Sequence, residues 1–460
     1  MKRKLQLRTK TKVKLRTSVK LAYAGAALSL MLIGGWVIYT NFGTSTDSLA
    51  GNEKYLPDFN WRRKLTFGND LIKGKETFLN FPLLVQVSDP DFKSISNGGK
   101  VVHPKGYDIR FTKDDGLTIY PSQIDSYNPK TGELSAWVLL DTLSEKSLKD
   151  LYVYYSNATI QAELPNILWS DAYRGIWHMN DLHASNNRKL RAITQGTAKA
   201  TGKVGSAYMF QASNKDAAFY PYSEEIDLKS DFSLSAWVYL NELSREQVIL
   251  SNQGDRSGGY RLFISADNKL SVSYSNASGK LISTVDVSGG ETLEKERWYY
   301  VAATYSVKEN SVKTYVDGLL DRSLATIDSP GATSSSLQLG RDLFNQSTYF
   351  NGMLDEVRIA AQANSQAWFA TELYNQTLGK QLFTLSLAEE ISLDLASVNK
   401  NKESINKQNA ETQAQQAKAN ELRAQKVPAT GEAPATLTTS AEAIQARMSS
   451  IRRVAKDNEK

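Results

Sequence analysis

Alternating apolar and polar residues dominate the middle of this 460-residue chain. In the run 232–240, Phe, Leu, Ala, Val and Leu occupy every second position, and Ser, Trp and Tyr fill the positions between them. A period of two residues indicates a β-strand, because successive side chains of a strand point to opposite faces. The predicted strands cover residues 81–87, 107–112, 134–140, 151–155, 232–240, 260–264, 270–274, 298–305, 312–316, 337–339 and 354–359.

Turn sequences rich in Gly, Asn and Asp separate these strands, as at 113–116 and 128–132. Asp317-Gly318 is a typical two-residue hairpin turn. Short strands at this spacing indicate β-sandwiches. We therefore predict an all-β protein with two jelly-roll-like β-sandwich domains in tandem, over residues 58–165 and 166–382.

The N-terminus shows a different pattern. Residues 21–40 are 20 consecutive uncharged, mostly apolar residues, and residues 1–20 carry nine Lys and Arg. About 20 apolar residues in a helix span the hydrocarbon core of a membrane, and basic flanks stay in the cytoplasm. We predict a transmembrane helix at 21–40 behind a basic cytoplasmic leader. A cleaved signal peptide is the alternative, since Ser48-Leu49-Ala50 resembles a cleavage site. Either interpretation exports the remainder of the chain.

This predicts a single-pass protein of the cytoplasmic or inner membrane, with its N-terminus in the cytoplasm and its bulk periplasmic or extracellular. The formal net charge is +6, and subtracting the nine leader cations leaves −3 for the rest. The basic character is therefore local, and we expect no nucleic-acid binding by the folded part. The chain has no Cys, which excludes disulfides and thiolate chemistry.

Three further segments have the composition of linkers or tails. Residues 41–57 are rich in Gly, Ser and Thr and are predicted to be a flexible linker. Residues 383–426 carry a near-heptad apolar stripe that fades into polar sequence and predict a polar helix. Residues 427–460 contain Pro428 and Pro434 and are predicted to be a disordered tail.

Five motifs in residues 61–160 follow one another in a fixed order: WRRKL (61–65), FPLLV (81–85), GYDIRFT (106–112), AWV (136–138) and LYVYYSNA (151–158). This segment resembles a bacterial domain of unknown function that often precedes a laminin G-like module in envelope proteins. The family usually has Gly at the position of Ser156. The resemblance implies a neighbourhood of proton-channel proteins of the MotA, TolQ and ExbB type.

A second ordered set spans residues 170–380: GIWHM (175–179), GKVGSA (202–207), FSLSAWV (232–238), WYYVA (298–302), YVDG (315–318) and FNGMLDEVRI (350–359). These residues resemble the concanavalin A-like, laminin G-like fold. Residues 364–368 stand where that family has a short closing helix. The resemblance implies a binding domain whose rim loops or concave face recognise a ligand.

The sequence contains none of the common catalytic motifs that we sought. The three histidines are His103, His178 and His183, and no nucleophile-elbow, zinc-protease or nucleotide-binding motif occurs. We interpret His178 as structural. Asp355 and Glu356 are adjacent acids on a predicted strand, where they should point to opposite faces and so cannot flank one glycosidic bond. We interpret that pair as a turn or an Arg358 contact, and predict that the protein is not an enzyme.

Calcium is the cofactor that the laminin G-like resemblance implies, because relatives often bind one Ca²⁺ at the sandwich rim through oxygen-rich loops. The residues matching that position are Asp181, Asn187 and Asp355. Two other loops, at 252–260 and 342–349, are rich in polar groups that suit sugar hydroxyls. The ligand-binding candidates in these loops are Asn252, Asp255, Arg256, Tyr260, Asp342, Asn345 and Tyr349.

Two functions follow from these features. The first is a membrane-anchored, extracytoplasmic binding or adhesion protein that recognises a glycan or another envelope protein. The second is a structural accessory subunit of an ion-driven membrane complex, with a TolQ- or ExbB-like channel as partner. Glycan binding by the exported part supports the first, and recovery of a channel protein from solubilised membranes supports the second.

Overall fold

A computed structural model of the chain describes residues 55–391, except 69–70, 147–149, 165–167, 187–188, 255–257, 276–280, 284–289, 327–328 and 346, and only the backbone of 281–283. The predicted leader, transmembrane helix and C-terminal tail lie outside the described residues, as does most of the predicted linker. Among the helices described, none combines the length and the apolar composition that a membrane span requires.

Two antiparallel sheets form the first sandwich, which confirms the predicted all-β class for this part. One sheet has the order β22-β1-β6-β3 and contains β1 (Trp61–Phe67), β3 (Arg110–Thr112), β6 (Leu151–Tyr155) and β22 (Phe383–Leu385). The other has the order β2-β5-β4 and contains β2 (Phe78–Ser88), β4 (Ser122–Asn128) and β5 (Glu133–Leu143). Leu65, Leu83, Trp137 and Val153 are buried in the core of this sandwich.

The second sandwich is larger and follows the same principle. Its first sheet has the order β19-β18-β17-β12-β21-β10-β9, with β7 also paired to β21. These strands are β7 (Tyr173–Trp177), β9 (Ala198–Thr201), β10 (Ser206–Phe210), β12 (Phe232–Leu240), β17 (Trp298–Ser306), β18 (Ser311–Val316), β19 (Leu319–Ala325) and β21 (Gly352–Ala360).

The opposing sheet has the order β16-β15-β14-β13-β20-β11-β8. Its strands are β8 (Ile193–Gln195), β11 (Ala217–Tyr220), β13 (Gln247–Ser251), β14 (Gly259–Ile264), β15 (Leu270–Ser275), β16 (Leu281–Ser283) and β20 (Leu337–Leu339). Apolar side chains from both sheets, such as Phe232, Leu234 and Tyr260, fill the space between them. Short 3-10 helices lie at Pro90–Phe92, Ile95–Asn97, Ala212–Asn214, Glu224–Ile226 and Gly379–Leu382, and a last strand, β23, covers Glu389–Glu390.

A single α-helix among the described residues, α1 (Gln366–Leu378), occupies the position of the predicted closing helix. Ser365 caps it, because its hydroxyl accepts a hydrogen bond from the backbone N–H of Trp368 at 3.1 Å. The Asn375 side-chain amide exchanges two hydrogen bonds of 2.8 Å with the backbone of Leu84 in β2. The helix of the second sandwich is therefore bound to a strand of the first.

The two sandwiches share one core, and residues 60–389 form one compact unit. Trp237 on β12 and Tyr300 on β17 lie on the outer face of the second sandwich, yet belong to the same buried cluster as Phe81 and Trp137 of the first. The sequence predicted two domains in tandem. In the structure, the two sandwiches pack directly against each other through this buried cluster.

The C-terminal end of this unit differs from the prediction. Residues 383–385, expected to begin a polar helix, form strand β22, which pairs with β1 through Leu65↔Leu385 and Phe67↔Phe383. The edge of β1 offers unpaired backbone groups, and pairing satisfies them. The first residues of the segment that was predicted to be a helix are therefore a strand. The rest of the predicted helix, from 392 on, lies outside the described residues.

The β18–β19 hairpin supports a first prediction. Asp317 and Gly318 have φ of 46° and 74°, as a type I′ turn requires, and a Cβ on Gly318 would lie 2.7 Å from the Ala370 Cα in α1. We expect Gly318→Ala to lower the free energy of unfolding by roughly 1–3 kcal/mol, because it adds backbone strain and a clash. Urea denaturation of the purified chain measures this loss.

Gly98→Ala is the matched control for that variant. Gly98 also has a positive φ of 81°, but nothing lies within 4 Å of the position of its Cβ. The control carries the backbone strain alone, which costs about 1 kcal/mol. Equal losses in the two variants would contradict the role of the helix contact.

Candidate functional site

A polar cleft of ≈ 240 Å³ opens where the two sandwiches meet. Strand β4 of the first sandwich forms one wall, and the loop that follows β7 of the second forms the other. The lining residues are Gln123, Ile124, Asp125, His178, Asn180, Asp181, His183, Ala184 and Ser185. A concave site with several converging polar groups is the usual form of a ligand-binding site.

Asp125 enters the cleft from a β-bulge. The pairing of β4 with β5 shifts register between Ile124 and Ser126, so Asp125 is an extra residue in its strand. Bulges re-aim a side chain relative to the regular alternation. The Asp125 Oδ1 accepts a hydrogen bond of 2.7 Å from the Asn180 amide of the second sandwich, and its Oδ2 is buried with no hydrogen-bond partner among the described residues.

A second bulge places Glu356 close to this point. The pairing of β12 with β21 shifts register between Ser235 and Trp237, and Glu356 has a left-handed φ of 46°. Both Glu356 oxygens contact the Nδ1 of His178, at 2.8 and 3.1 Å. His178 is 4% exposed and Glu356 is fully buried. Strand β7 pairs with β21 through Trp177↔Val357, so His178, one residue further along, lies opposite Glu356.

Arg358 extends this arrangement toward α1. Its guanidinium donates one hydrogen bond to Glu356 at 3.0 Å and another to Glu372 of the helix at 2.5 Å. Glu372 also accepts a hydrogen bond of 2.6 Å from the Tyr300 hydroxyl. The Trp137 ring of the first sandwich stacks on the His178 ring, with 5.4 Å between the two ring centres. The guanidinium carbon of Arg358 lies 4.6 Å from the centre of the Trp137 ring. Residues from both sandwiches and the helix thus form one buried charged cluster.

The carboxyl groups of this cluster have opposite pKa shifts. Burial, with the nearby charge of Glu356, raises the pKa of Asp125 to about 6, although His178 and the hydrogen bond from Asn180 act against the rise. Burial and the charge of Glu356 also raise the pKa of Asp355. Burial alone would raise the pKa of Glu356, but the charges and hydrogen bonds of His178 and Arg358 outweigh it and lower that pKa.

Asp125, His178 and Glu356 each offer one ligand atom, and these three atoms lie within 4.8 Å of one another. The sequence predicted a structural role for His178 and either a turn or an Arg358 contact for the acidic pair, and the structure shows that Glu356 contacts Arg358. Nothing in the sequence indicated Asp125, which stands in a strand without any local motif. No short-range signal links it to partners that follow much later in the chain.

The loop at 252–260 was predicted to bind a ligand, but two of its predicted residues are buried. Asn252 is 1% exposed, and its side chain is occupied by hydrogen bonds to the Ile226 carbonyl and the Tyr260 N–H. Tyr260 is fully buried, and its hydroxyl donates to the same Ile226 carbonyl at 2.9 Å. These two residues stabilise the sandwich interior, so we remove them from the candidate site. Asp255 and Arg256 lie outside the described residues.

The loop at 342–349 is also held by its own hydrogen bonds. The buried Asp342 carboxylate accepts from the backbone N–H groups of Phe344 and Asn345 and from the Ser251 hydroxyl. Tyr349 is buried, and its hydroxyl accepts from Arg341 at 3.2 Å. Asn345 alone of the three predicted residues is exposed. Asp342 and Tyr349 therefore have structural contacts, which their residue type did not reveal.

Of the predicted calcium ligands, Asp181 is exposed and lines the cleft. Asp355 is buried, and its carboxylate accepts hydrogen bonds from the backbone N–H groups of Val204 and Glu356. Neither belongs to the group formed by Asp125, His178 and Glu356. Asn187 lies outside the described residues, and calcium binding at these positions stays a prediction.

Comparison with known proteins agrees with the fold. Residues 212–370 match the family described as the concanavalin A-like lectin/glucanases superfamily. The chain contains a concanavalin A-like domain. Residues 105–165 match a domain of unknown function, DUF2341. Both predicted resemblances are thereby confirmed, with the concanavalin A-like domain as the second sandwich. The proton-channel neighbourhood stays a prediction. No curated protein matches the chain.

Several solved structures are similar to part of the chain. The binding domain of Paraclostridial mosquitocidal protein 1 is 14% identical, with 44% of this chain and 52% of that chain covered and a TM-score of 0.38. Domain 4 of an extracellular arabinanase from Geobacillus stearothermophilus, in complex with arabinotriose, is 19% identical, with 44% and 98% covered and a TM-score of 0.37. The binding domain of botulinum neurotoxin serotype G is 14% identical, with 44% and 51% covered and a TM-score of 0.37. The chain thus spans about half of the first and third structures.

Proposed function

We propose that this protein is a membrane-anchored, extracytoplasmic binding protein that recognises a glycan in the cleft between its two sandwiches. The cleft lined by both sandwiches is the observation that carries this proposal. Gln123, Asn180, Asp181 and His183 offer amide, carboxylate and imidazole groups there, and such groups bind sugar hydroxyls. The anchor is the apolar segment 21–40, which places the sandwiches in the periplasm or outside the cell.

The volume of the cleft limits the size of the ligand that it can hold. At ≈ 240 Å³ it is smaller than the roughly 300–1,000 Å³ of sites for drug-sized molecules. A terminal sugar residue of an envelope glycan fits such a cleft better than the middle of a long polysaccharide. The same polar groups also suit a side chain of another envelope protein, which is the second class of ligand.

The geometry favours binding over hydrolysis. A glycosidase needs two carboxyl groups that reach a glycosidic bond from its two sides. Glu356 is fully buried, and its oxygens are occupied by His178 and Arg358. Asp125 and Asp181 also line the cleft, but Asp125 accepts a hydrogen bond from the Asn180 amide and Asp181 accepts one from the backbone N–H of His183, and both contacts fix these carboxyl groups in the wall. We therefore infer that the cleft holds a ligand without cleaving it.

A glycan array with the purified full-length chain tests this proposal. We expect selective binding, and we expect Asp181→Ala to weaken it by about tenfold or more, because a hydrogen bond to a charged group is lost. Asp267, an exposed acid in the β14–β15 turn, provides the matched control Asp267→Ala, which should bind as the unsubstituted chain does.

Three outcomes would contradict the proposal. Binding that does not change in Asp181→Ala would move the ligand away from the cleft. Release of sugar products during incubation would identify an enzyme instead. Recovery of a TolQ- or ExbB-like channel from solubilised membranes, without any glycan signal, would support the accessory-subunit function.

A further inference from the structure

We propose that Asp125, His178 and Glu356 bind one divalent ion of the first transition row, of the Zn²⁺ class, between the two sandwiches. The proposal does not depend on glycan recognition. One ligand comes from the first sandwich and two from the second, so the ion would join them. The site is different from the calcium position predicted at Asp181, Asn187 and Asp355.

The donor set suits such an ion. One imidazole and two carboxylates are common ligands of catalytic and structural Zn²⁺, whereas Ca²⁺ prefers six to eight oxygen atoms. His178 and Glu356 already contact each other at 2.8 Å, and the three ligand atoms lie within 4.8 Å of one another. Small side-chain rotations bring three such atoms onto one ion at the usual bond lengths of about 2.0–2.2 Å.

Several buried polar atoms in this cluster have no hydrogen-bond partner among the described residues, and they include Asp125 Oδ2, His178 Nε2 and Arg358 Nε. Buried polar atoms are normally paired, so each exception calls for an explanation. Asp125 Oδ1 is held by Asn180 at 2.7 Å, which leaves Oδ2 as the free coordinating atom. An ion in the cluster supplies the missing partner of Asp125 Oδ2, and the Nδ1 of His178, the nitrogen that faces Glu356, is the second ligand.

The surrounding charges also favour a cation. A histidine that binds a metal is neutral, and Arg358 then stands as the positive group among Asp125, Glu356 and Glu372. The buried acids outnumber this guanidinium, and the excess of negative charge favours a cation. Arg358 holds Glu356 Oε2 at 3.0 Å, which leaves Oε1 to coordinate while the guanidinium orients the carboxylate. Such outer contacts are typical of metal sites.

The cleft gives the ion a route of entry. Asp125 and His178 line it, and Glu356 lies behind them in the buried interior. An ion bound to all three keeps its remaining position toward the cleft, where water or a ligand oxygen completes the shell. The bound ion would thus hold β4 against the second sandwich at the edge of the proposed binding site.

Equilibrium dialysis of the EDTA-treated full-length chain against ZnCl₂ tests the site. We expect one Zn²⁺ per chain that is lost or weakened about tenfold or more in Asp125→Asn and in Glu356→Gln, since even outer contacts of a metal ligand change affinity by that factor. Asp267→Asn is the control and should bind as the unsubstituted chain does. Failure of the chain to bind Zn²⁺, or undiminished binding in both variants, would overturn the proposal.

A measurement on the unsubstituted chain covers the case in which a variant does not fold. Trp137 and Trp169 have ring centres 5.4 and 5.5 Å from that of His178. Co²⁺ in place of Zn²⁺ should therefore quench tryptophan fluorescence, and the quenching should saturate at one equivalent. Unchanged fluorescence at saturating Co²⁺ would overturn the proposal. These readouts use no glycan, so their failure is distinct from failure of the proposed function.

Discussion

Arg358→Met is expected to lower the free energy of unfolding by about 3–5 kcal/mol, the usual cost of removing one partner of a buried ion pair. Arg358 is 2% exposed and bridges Glu356 on its own strand to Glu372 in α1. Burial alone would lower the pKa of Arg358, but the charges of Glu372 and Glu356 outweigh it and raise that pKa. Without the guanidinium, Glu372 stays buried with no opposite charge, and Glu356 keeps only His178 as a partner. Urea denaturation measures the loss.

Arg297→Met is the matched control for this variant. Arg297 forms an ion pair of 2.9 Å with Asp317, but its side chain is about half exposed. Such surface pairs contribute about 1 kcal/mol or less. In addition, combining Arg358→Met with Glu356→Gln and Glu372→Gln should recover part of the stability, because no unpaired charge then remains. A loss below 1 kcal/mol in Arg358→Met alone would mean that the cluster is not energetically coupled.

Trp368→Ala is expected to cost about 3–5 kcal/mol and to destabilise both sandwiches together. Trp368 belongs to α1, and its ring lies 5.5 Å from Phe78 and 5.0 Å from Phe81, both in β2 of the first sandwich. The variant leaves a cavity in the core that the sandwiches share. Differential scanning calorimetry should show one unfolding transition, displaced as a whole to lower temperature.

Phe344→Ala provides the comparison for that experiment. Phe344 is also an aromatic residue of the second sandwich, but it is 55% exposed, so its replacement should change stability by less than about 0.5 kcal/mol. Two separate transitions, of which only one moves in Trp368→Ala, would show that the sandwiches unfold independently and would contradict the shared core.

The pattern of apolar residues predicted the strands well, because alternation is a local property. Strands β6, β12 and β20 have the predicted bounds, and β5 extends beyond its predicted range at both ends. In β12, Phe232, Leu234 and Val238 face the interior of the sandwich as predicted. The hairpin at Asp317-Gly318 and the closing helix were also predictable, since their signals lie within a few residues of each other.

The opposite face of β12 was not predictable. Trp237 and its neighbours there are polar or amphipathic, which is the composition of a face that meets water. In the structure, Trp237 donates a hydrogen bond of 2.6 Å to Gln376 in α1 and is 2% exposed. A strand face whose polar groups bond to a helix has the same composition as a face whose polar groups bond to water. The shared core could therefore not be predicted from the sequence.

The sequence by itself determined the all-β class, the positions of eleven strands and the two domain resemblances, since each depends on residues close together in the chain. Tertiary structure alone decided the cleft and the cluster of Asp125, His178 and Glu356. Their side chains meet because a bulge in β4 re-aims Asp125 and because the pairing of β7 with β21 places His178 beside Glu356. A bulge reflects how strands pair over long separations, and no local pattern of residues encodes that pairing.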